Sequence, residues 1–117
     1  MTARLGSAFV PVSDTARSAT WYADVFGVRV ESIDAQSAVL SDADGRRLTL
    51  LSPLSGIQAV PGLSWASCSF LVDDVTDFQE RCSGQGRAAE PVGGDPDVCL
   101  FFTLRDPDGN AVLVVDR

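Results

Sequence analysis

The sequence contains two closely spaced carboxylate pairs, in the motifs DADG at positions 42–45 and DPDG at positions 106–109. Carboxylates separated by one residue occur in calcium-binding loops. Neither motif, however, is followed by the further ligands of an EF-hand loop. Each motif lies between two apolar runs. An Asp followed three residues later by Gly is typical of a tight turn in which the Gly takes a left-handed conformation. We therefore interpret both motifs as hairpin turns rather than as metal sites.

Few other side chains are able to do chemistry, because the chain contains no histidine. Ser–His and Cys–His nucleophile pairs are therefore excluded, and no glycine-rich phosphate-binding motif is present. The cysteines, Cys68, Cys82 and Cys99, are odd in number and lack CxxC spacing, which indicates reduced thiols rather than disulfides or a zinc site. Asp73 and Asp74 are adjacent, so their side chains should point apart, and Asp74 is placed to cap a helix. No catalytic residue is predicted.

The formal net charge of −7 comes from 16 acidic and 9 basic residues. This charge disfavours nucleic acid as a partner, because the phosphates would be repelled. It would attract cations and cationic small molecules. The alternative is that the charge only maintains solubility.

The length of 117 residues predicts one domain. The N-terminal segment lacks the apolar core of a signal peptide, and no apolar run is long enough to span a bilayer. We therefore expect no membrane association and, with reduced cysteines, a cytoplasmic protein.

The sequence contains an internal repeat. Positions 40–51 (LSDADGRRLTLL) match positions 104–115 (LRDPDGNAVLVV), and positions 7–14 (SAFVPVSD) match positions 67–74 (SCSFLVDD). The second pair are short apolar runs that end on an acidic residue suited to cap a helix. Such a duplication predicts two modules of the same fold.

Each half predicts the element order βαβββ. The first helix begins after Asp14 and ends at Gly27, and the second begins after Asp74 and ends at Gly84 or Gly86. The strands that follow are predicted at 28–33, 36–41 and 46–52 in the first half, and at 88–92, 98–105 and 110–116 in the second. The predicted modules span 1–52 and 65–117, joined by a linker at 53–64 that is rich in Pro, Gly and Ser.

One helix covers only one face of a four-stranded sheet, so the other face of each sheet needs a partner surface. Two such sheets can curl toward each other, and alternate residues of each strand then line the space between them. We predict an α+β fold in which two βαβββ modules form a half-open barrel or cleft.

Three motifs in this order, FVPVSDTARSATWYADVFGV at 9–28, FLVDDVTDF at 70–78 and FTLRDPDGNAVLVVD at 102–116, resemble those of a known superfamily. It is the vicinal oxygen chelate superfamily, also called the glyoxalase/bleomycin resistance/dioxygenase group. The family fold consists of paired βαβββ modules, which agrees with the internal repeat. The closest resemblance is to the metal-free, bleomycin-resistance-like branch.

Metal-dependent members of that superfamily hold a divalent ion with His and Glu from the first and last strands of each module. The resemblance places these four positions at Ser7, Thr49, Ser67 and Leu113. None of them carries the imidazole, carboxylate or thiolate that transition metals prefer. We therefore predict neither a metal nor another cofactor.

Strand alternation predicts which residues would line the cleft, and we call this set the wall. On the first strand, Ser7 and Phe9 share the face toward the cleft, while Ala8 and Val10 face the helix. Phe101 and Phe102 must point to opposite faces, and the sequence does not decide which enters the cleft. Aromatic walls with a few hydroxyl groups suit a planar ligand. The predicted ligand-binding residues are Ser7, Phe9, Thr49, Trp65, Ser67, Ser69, Phe101, Phe102 and Leu113.

The resemblance implies a homodimer that sequesters a small molecule, as antibiotic-resistance proteins do. The expected ligand is a hydrophobic or aromatic natural product, and cationic compounds are included in this class. The alternative is a metal-independent lyase, isomerase or cyclase that acts on a small metabolite. A third reading is a structural or regulatory dimer without a ligand. Catalysis needs an acid or base, and apart from cysteine the predicted wall has none unless Glu31, Glu90 or Asp97 enters from a loop. The sequence therefore favours binding.

Overall fold

A computed structural model describes residues 1–117, which divide into two units, Met1–Pro61 and Gly62–Arg117. Each unit contains one α-helix and one four-stranded sheet of mixed parallel and antiparallel strands. The predicted α+β class and the duplicated βαβββ order are confirmed. Each sheet has two edge strands, so neither closes on itself as a barrel.

The first unit begins with a strand, a helix and three further strands. These are β1 (Ala8–Pro11), α1 (Thr15–Phe26), β2 (Arg29–Ile33), β3 (Ser37–Ser41) and β4 (Arg47–Leu51), followed by a short 3₁₀ turn (Pro53–Ser55). The strand order in the sheet is β1-β4-β3-β2, with β1 parallel to β4 and the other pairs antiparallel.

Local signals set both ends of α1, as predicted. The Asp14 carboxylate accepts a hydrogen bond from the Arg17 amide at 3.0 Å, which satisfies one of the free amides of the first turn. Gly27 ends the helix with a φ of 70°, and its amide donates to the carbonyl of Ala23. The buried side of α1 includes Tyr22, which is fully buried.

Alternate strand residues of the first sheet pack toward α1 and are at most 6% exposed: Val10, Ala38, Leu40, Leu48 and Leu50. The residues between them form what we call the helix-free face of the first sheet. Its members on β1, β3 and β4 are Phe9, Pro11, Ser37, Val39, Ser41, Arg47, Thr49 and Leu51.

The second unit repeats the order with shorter outer strands. Its elements are β5 (Ser69–Leu71), α2 (Val75–Gly84), β6 (Gly93–Asp95), β7 (Cys99–Arg105) and β8 (Ala111–Val115). The sheet order is β5-β8-β7-β6, which corresponds strand by strand to that of the first sheet. Asp74 caps α2 as predicted, and Gly84 is its last residue, with Gly86 following at a φ of 75°.

The duplication extends to strand register. Phe9 pairs with Thr49 between the parallel strands of the first sheet, and Ser69 pairs with Leu113 between those of the second. These are the same positions of the two sequence repeats. The helix-free face of the second sheet is therefore the counterpart of the first, and we use the same name for it.

The DADG and DPDG motifs form equivalent turns, as predicted. In each turn the first Asp accepts hydrogen bonds at 2.9 Å from the amides two and four residues later. Gly45 and Gly109 take the left-handed conformation, with φ values of 81° and 79°.

The strand predicted at 88–92 is wrong. This segment makes only an isolated bridge between Ala89 and Leu104. Two backbone hydrogen bonds accompany it, from the Glu90 amide to the Thr103 carbonyl and from the Arg105 amide to the Ala88 carbonyl. The strand that pairs with β7 is β6. Pro91 has no amide hydrogen to contribute to a ladder, which explains why pairing does not continue through the segment.

Candidate binding faces of the two sheets

Ser7 and Thr49, two of the four positions of the family metal site, contact each other. The Ser7 Oγ and Thr49 Oγ1 atoms are 2.7 Å apart and share a hydrogen bond, and Ser7 also donates toward the Arg47 carbonyl at 3.2 Å. Both side chains are half-buried. The parallel register places Thr49 beside Phe9, so the hydroxyl pair lies next to an aromatic ring position on the helix-free face.

The other two positions, Ser67 and Leu113, lie in the second unit. Leu113 is half-buried on β8 and pairs with Ser69, whereas Ser67 is exposed and precedes β5. Two serines, a threonine and a leucine do not fit a divalent transition metal, because they lack imidazole, carboxylate and thiolate donors. No group of three or more His, Cys, Asp or Glu side chains is placed to hold a metal ion.

Two of the predicted aromatic residues are exposed on a helix-free face. Phe9 is 53% exposed on β1, and Phe101 is 39% exposed on β7, where it pairs with Val115. Phe102 is 1% exposed, and its ring centroid lies 6.5 Å from that of Phe78 on α2. The inclusion of Phe102 in the wall is therefore wrong: its side chain belongs to the core under α2, and Phe101 is on the helix-free face.

Trp65 is 85% exposed and lies four residues before β5. Strand alternation therefore does not apply to it, although the sequence analysis grouped it with Ser67 and Ser69. Trp21, in contrast, packs edge-on against Tyr22 at 4.8 Å between ring centroids on α1. The two tryptophans thus occupy different environments, one exposed and one packed.

The first sheet also carries an acidic side chain, Glu31, which lies within the strand predicted at 28–33. The register between β2 and β3 shifts between Val30 and Ser32, so Glu31 lies in a bulge without a partner residue on β3. Its Oε1 atom accepts bonds from Ser41 Oγ at 2.6 Å and from Arg29 Nη2 at 2.8 Å. The Ser41 hydrogen bond, followed by the hydrogen bond and charge of Arg29, lowers the pKa of Glu31.

Arg47 is a charged residue on this face that the sequence analysis did not name. It is exposed at the start of β4 and pairs with Ser41 in the antiparallel register. Its guanidinium makes no hydrogen bond or ion pair, and its charge makes a minor contribution to the lowered pKa of Glu31. The signal was available, because Arg47 precedes Thr49 by two residues and alternate strand residues share a face. Its neighbour Arg46 lies in the turn and pairs with Asp44 at 3.7 Å.

The thiols are poor candidates for a nucleophile. Burial, with a smaller contribution from the Asp106 charge, raises the pKa of Cys68 to about 11. Burial also raises the pKa of Cys82. Only the thiolate attacks an electrophile, so both side chains are unreactive at neutral pH.

A cavity of about 360 Å³ lies in the second unit at the start of α2. Two of its three acidic side chains have structural roles, since Asp74 caps α2 and Asp77 pairs with Arg81 at 3.1 Å. None of the predicted wall residues lines it. The cavity is lined by Leu71, Val72, Asp73, Asp74, Asp77, Phe78 and Arg81.

Comparison with known proteins agrees with this duplicated fold. The profile of the Glyoxalase/Bleomycin resistance protein/Dioxygenase superfamily matches residues 4–114. The chain belongs to this superfamily. The resemblance inferred from the sequence motifs is therefore confirmed. No curated protein matches the sequence of this superfamily member.

Several solved structures share the fold of this chain at low identity. A superfamily member from Sphaerobacter thermophilus superposes with a TM-score of 0.80 at 17% identity, covering 97% of each chain. Lactoylglutathione lyase from Agrobacterium tumefaciens has a TM-score of 0.75 at 20% identity, covering 98% of this chain and 94% of its own. The bleomycin-binding protein of Streptomyces verticillus, complexed with copper(II)-bleomycin, has a TM-score of 0.67 at 21% identity, covering 97% of each chain.

Proposed function

We propose that this superfamily member is a metal-independent binding protein that sequesters a hydrophobic, aromatic natural product, in the manner of antibiotic-resistance proteins. The observation that carries the proposal is the Ser7–Thr49 pair. Where metal-dependent relatives have chelating side chains, the helix-free face of the first sheet has two hydroxyls bonded to each other at 2.7 Å. Such a face offers hydrogen bonds to a ligand and no strong donor to a metal.

Exposed aromatic rings support an aromatic ligand. Phe9 and Phe101 are 53% and 39% exposed on helix-free faces, although rings of this size are usually buried. Each ring that stacks on a planar ligand contributes about 0.5–1.5 kcal/mol beyond the burial of area. Three further predicted contact residues lie on other strands of the two sheets: Thr49 and Leu113 at the middle of β4 and β8, and Ser69 at the start of β5.

The ionisable groups support binding over turnover. A general acid or base works best with a pKa near the working pH. The pKa of Glu31 is lowered by Ser41 and Arg29, and that of Cys68 is raised to about 11, so both move away from neutrality. The structural similarity to a bleomycin-binding protein supports sequestration. The similarity to a lactoylglutathione lyase supports the alternative, a metal-independent lyase, isomerase or cyclase. The experiment must distinguish binding from conversion of the ligand.

Fluorescence titration with a panel of planar aromatic antibiotics tests the proposal, because one of the two tryptophans is exposed. Trp65 is 85% exposed and should be quenched when a ligand stacks nearby, whereas Trp21 is packed on α1 against Tyr22. The Trp65→Phe variant should lose most of the quenching, and the matched Trp21→Phe variant should retain it. Each titration is repeated with a chelator and with added Mn²⁺, Ni²⁺ or Fe²⁺.

Sequestration predicts saturable quenching that is independent of metal, with the antibiotic recovered unchanged by mass spectrometry. Conversion of the compound would establish the enzyme alternative. A requirement for one of the metals, or equal loss of quenching in both tryptophan variants, would reject the proposed mode of binding.

We further propose that the protein acts as a homodimer in the cytoplasm. Exposed apolar side chains on β1, β5 and β7 support self-association: Phe9, Leu71 and Phe101 are 39–68% exposed. The three free cysteines support a reducing compartment. Neither α-helix is long and apolar enough to cross a membrane. Light scattering of the purified chain should give twice the monomer mass, and a monomer would contradict the dimer.

A further inference from the structure

The charges on the helix-free face of the first sheet do not cancel. Three charged side chains lie there: Arg29, which pairs with Ser41 in the register, Glu31 in the bulge, and Arg47. Arg29 and Glu31 form an ion pair with 2.8 Å between Nη2 and Oε1. The Arg47 guanidinium makes no hydrogen bond or ion pair. Its charge acts on Glu31 only as a minor contribution, because Glu31 is already bonded to Arg29 and Ser41.

The counterpart region of the second sheet is arranged differently. Arg105 occupies the position that corresponds to Ser41, and its Nη2 atom lies 4.0 Å from Glu90 Oε1. Arg105 Nη1 also donates to the carbonyls of Leu63 and Gly109 at 3.4 and 3.3 Å. That guanidinium is therefore held by the protein itself, whereas the Arg47 guanidinium is available.

Arg47 is adjacent to the hydroxyl pair. Its carbonyl lies 3.2 Å from Ser7 Oγ, and the Ser7 hydroxyl contacts Thr49 at 2.7 Å. Either hydroxyl of the pair can be the donor, and Ser7 also has the Ala8 carbonyl within 2.9 Å. In the arrangement in which Ser7 donates to Thr49 rather than to a carbonyl, the Thr49 hydrogen is free to point at a ligand. A guanidinium presents N–H groups in a planar fork that matches a carboxylate, and a neighbouring hydroxyl adds a further donor.

The net charge of −7 suggests the opposite ligand, but it acts at longer range. Charges separated by more than about 8–10 Å are largely screened at physiological salt, whereas a direct guanidinium–carboxylate contact is screened much less. Of the two acids in the turn beside Arg47, Asp44 pairs with Arg46 at 3.7 Å, and Asp42 accepts amide hydrogens at 2.9 Å. The local chemistry of the face therefore differs from the bulk charge of the chain.

We propose that Arg47, together with the Ser7–Thr49 hydroxyl pair, binds a carboxylate of the ligand, so that the natural product held by this protein is an aromatic acid. This inference rests on the proposed binding function and specifies the ligand class. It assigns Arg47 as the residue that discriminates an acidic ligand from a basic or neutral one of the same shape.

Three probes test the inference: 2-naphthoate, 2-naphthalenemethanol and 2-naphthylmethylammonium, which share a naphthalene ring and differ in charge. Each is titrated by calorimetry at about 0.15 M NaCl, where the net charge of the chain is largely screened. The naphthoate should bind about tenfold more tightly than the alcohol, as a charge-assisted hydrogen bond predicts, and the ammonium should bind most weakly. The preference for naphthoate should shrink as NaCl is raised.

Two neighbouring arginines provide a matched pair of variants. Arg47→Gln should remove the preference for naphthoate while leaving the affinity for the alcohol within about twofold. Arg46→Gln makes the same change of charge one residue away, in the turn, and should keep the preference. Arg47→Lys, which keeps the charge but loses the planar fork, should keep part of it. Both arginines are exposed, so circular dichroism spectra of all variants should match that of the parent protein.

The outcomes separate the two proposals. If all three probes bind equally, if the ammonium binds best, or if Arg46→Gln and Arg47→Gln lower naphthoate affinity by the same factor, the inference about Arg47 is overturned and the binding function stands. If none of the three probes binds, the binding function fails and the inference fails with it.

Discussion

Asn110 should be the most consequential polar side chain of the second turn. It is 1% exposed, and its Oδ1 atom accepts bonds from the amides of Gly62 and Leu63 at 2.9 and 2.8 Å. Its Nδ2 atom donates to Asp106 Oδ2 at 2.9 Å. The side chain therefore ties the segment before β5 to the hairpin between β7 and β8.

The Asn110→Ala variant removes these three hydrogen bonds and leaves no replacement donor or acceptor. Each bond contributes about 1 kcal/mol net, and the one to a carboxylate somewhat more. Gly62 is exposed and its amide can bind water, which lowers the cost, whereas Asp106 is 5% exposed and loses a donor. The free energy of unfolding should fall by about 3 kcal/mol, a large part of the 5–15 kcal/mol typical of a protein.

Urea denaturation followed by circular dichroism measures this loss, and a thermal scan should show a decrease in Tm of roughly 10 °C. Arg46→Ala is the matched control, because Arg46 occupies the same position of the first turn. Its side chain is exposed and makes a surface ion pair with Asp44 at 3.7 Å, so the loss should stay below about 0.5 kcal/mol. If Asn110→Ala costs no more than Arg46→Ala, the reasoning that Asn110 anchors the segment is refuted.

Three further outcomes are expected. Ser18 is fully buried on α1, and its Oγ atom has no hydrogen-bond partner. Ser18→Ala should therefore stabilise the protein by about 1 kcal/mol in urea denaturation, more than the exposed control Ser83→Ala on α2. A loss of stability in Ser18→Ala would contradict this expectation. Because burial raises the pKa of Cys68 to about 11, its reaction with iodoacetamide at pH 8 should be about 100-fold slower in the native protein than in urea. Mass spectrometry follows the reaction. Equal rates would rule out the effect of burial. The pKa of Glu31 is lowered from its usual value of 4.5, so it stabilises the fold above that pH and the contribution is lost as the pH falls below it. The parent protein should therefore lose slightly more stability than Glu31→Gln between pH 6 and pH 3, and an identical loss would show that Glu31 gains nothing from Ser41 and Arg29.

The elements that were predicted correctly are those whose signals are local. The caps at Asp14 and Asp74 act within one helical turn, and the turns at Asp42 and Asp106 close through amides two and four residues later. Because these interactions involve neighbours in the chain, residue types alone reveal them. The strand predicted at 88–92 failed because Pro91 interrupts a ladder whose partner strand lies in another part of the sequence.

The candidate site was predictable to the extent that it follows alternation. Alternation placed Phe9 and Thr49 on one face, and the register confirms that they are neighbours. It also established that Phe101 and Phe102 point to opposite faces, but only the packing of Phe102 against Phe78 decides which of the two is buried. Whether the predicted wall residues contact a ligand stays a prediction.

The sequence by itself determined the duplicated βαβββ modules and the position of their turns and helix ends. Only the tertiary structure decided that Glu31 lies in a bulge and bonds Ser41 and Arg29, and that the backbone of Arg47 lies beside Ser7. The physical reason is that these contacts depend on the register between strands. Register is set by hydrogen bonds and packing between distant segments, and no single segment encodes it.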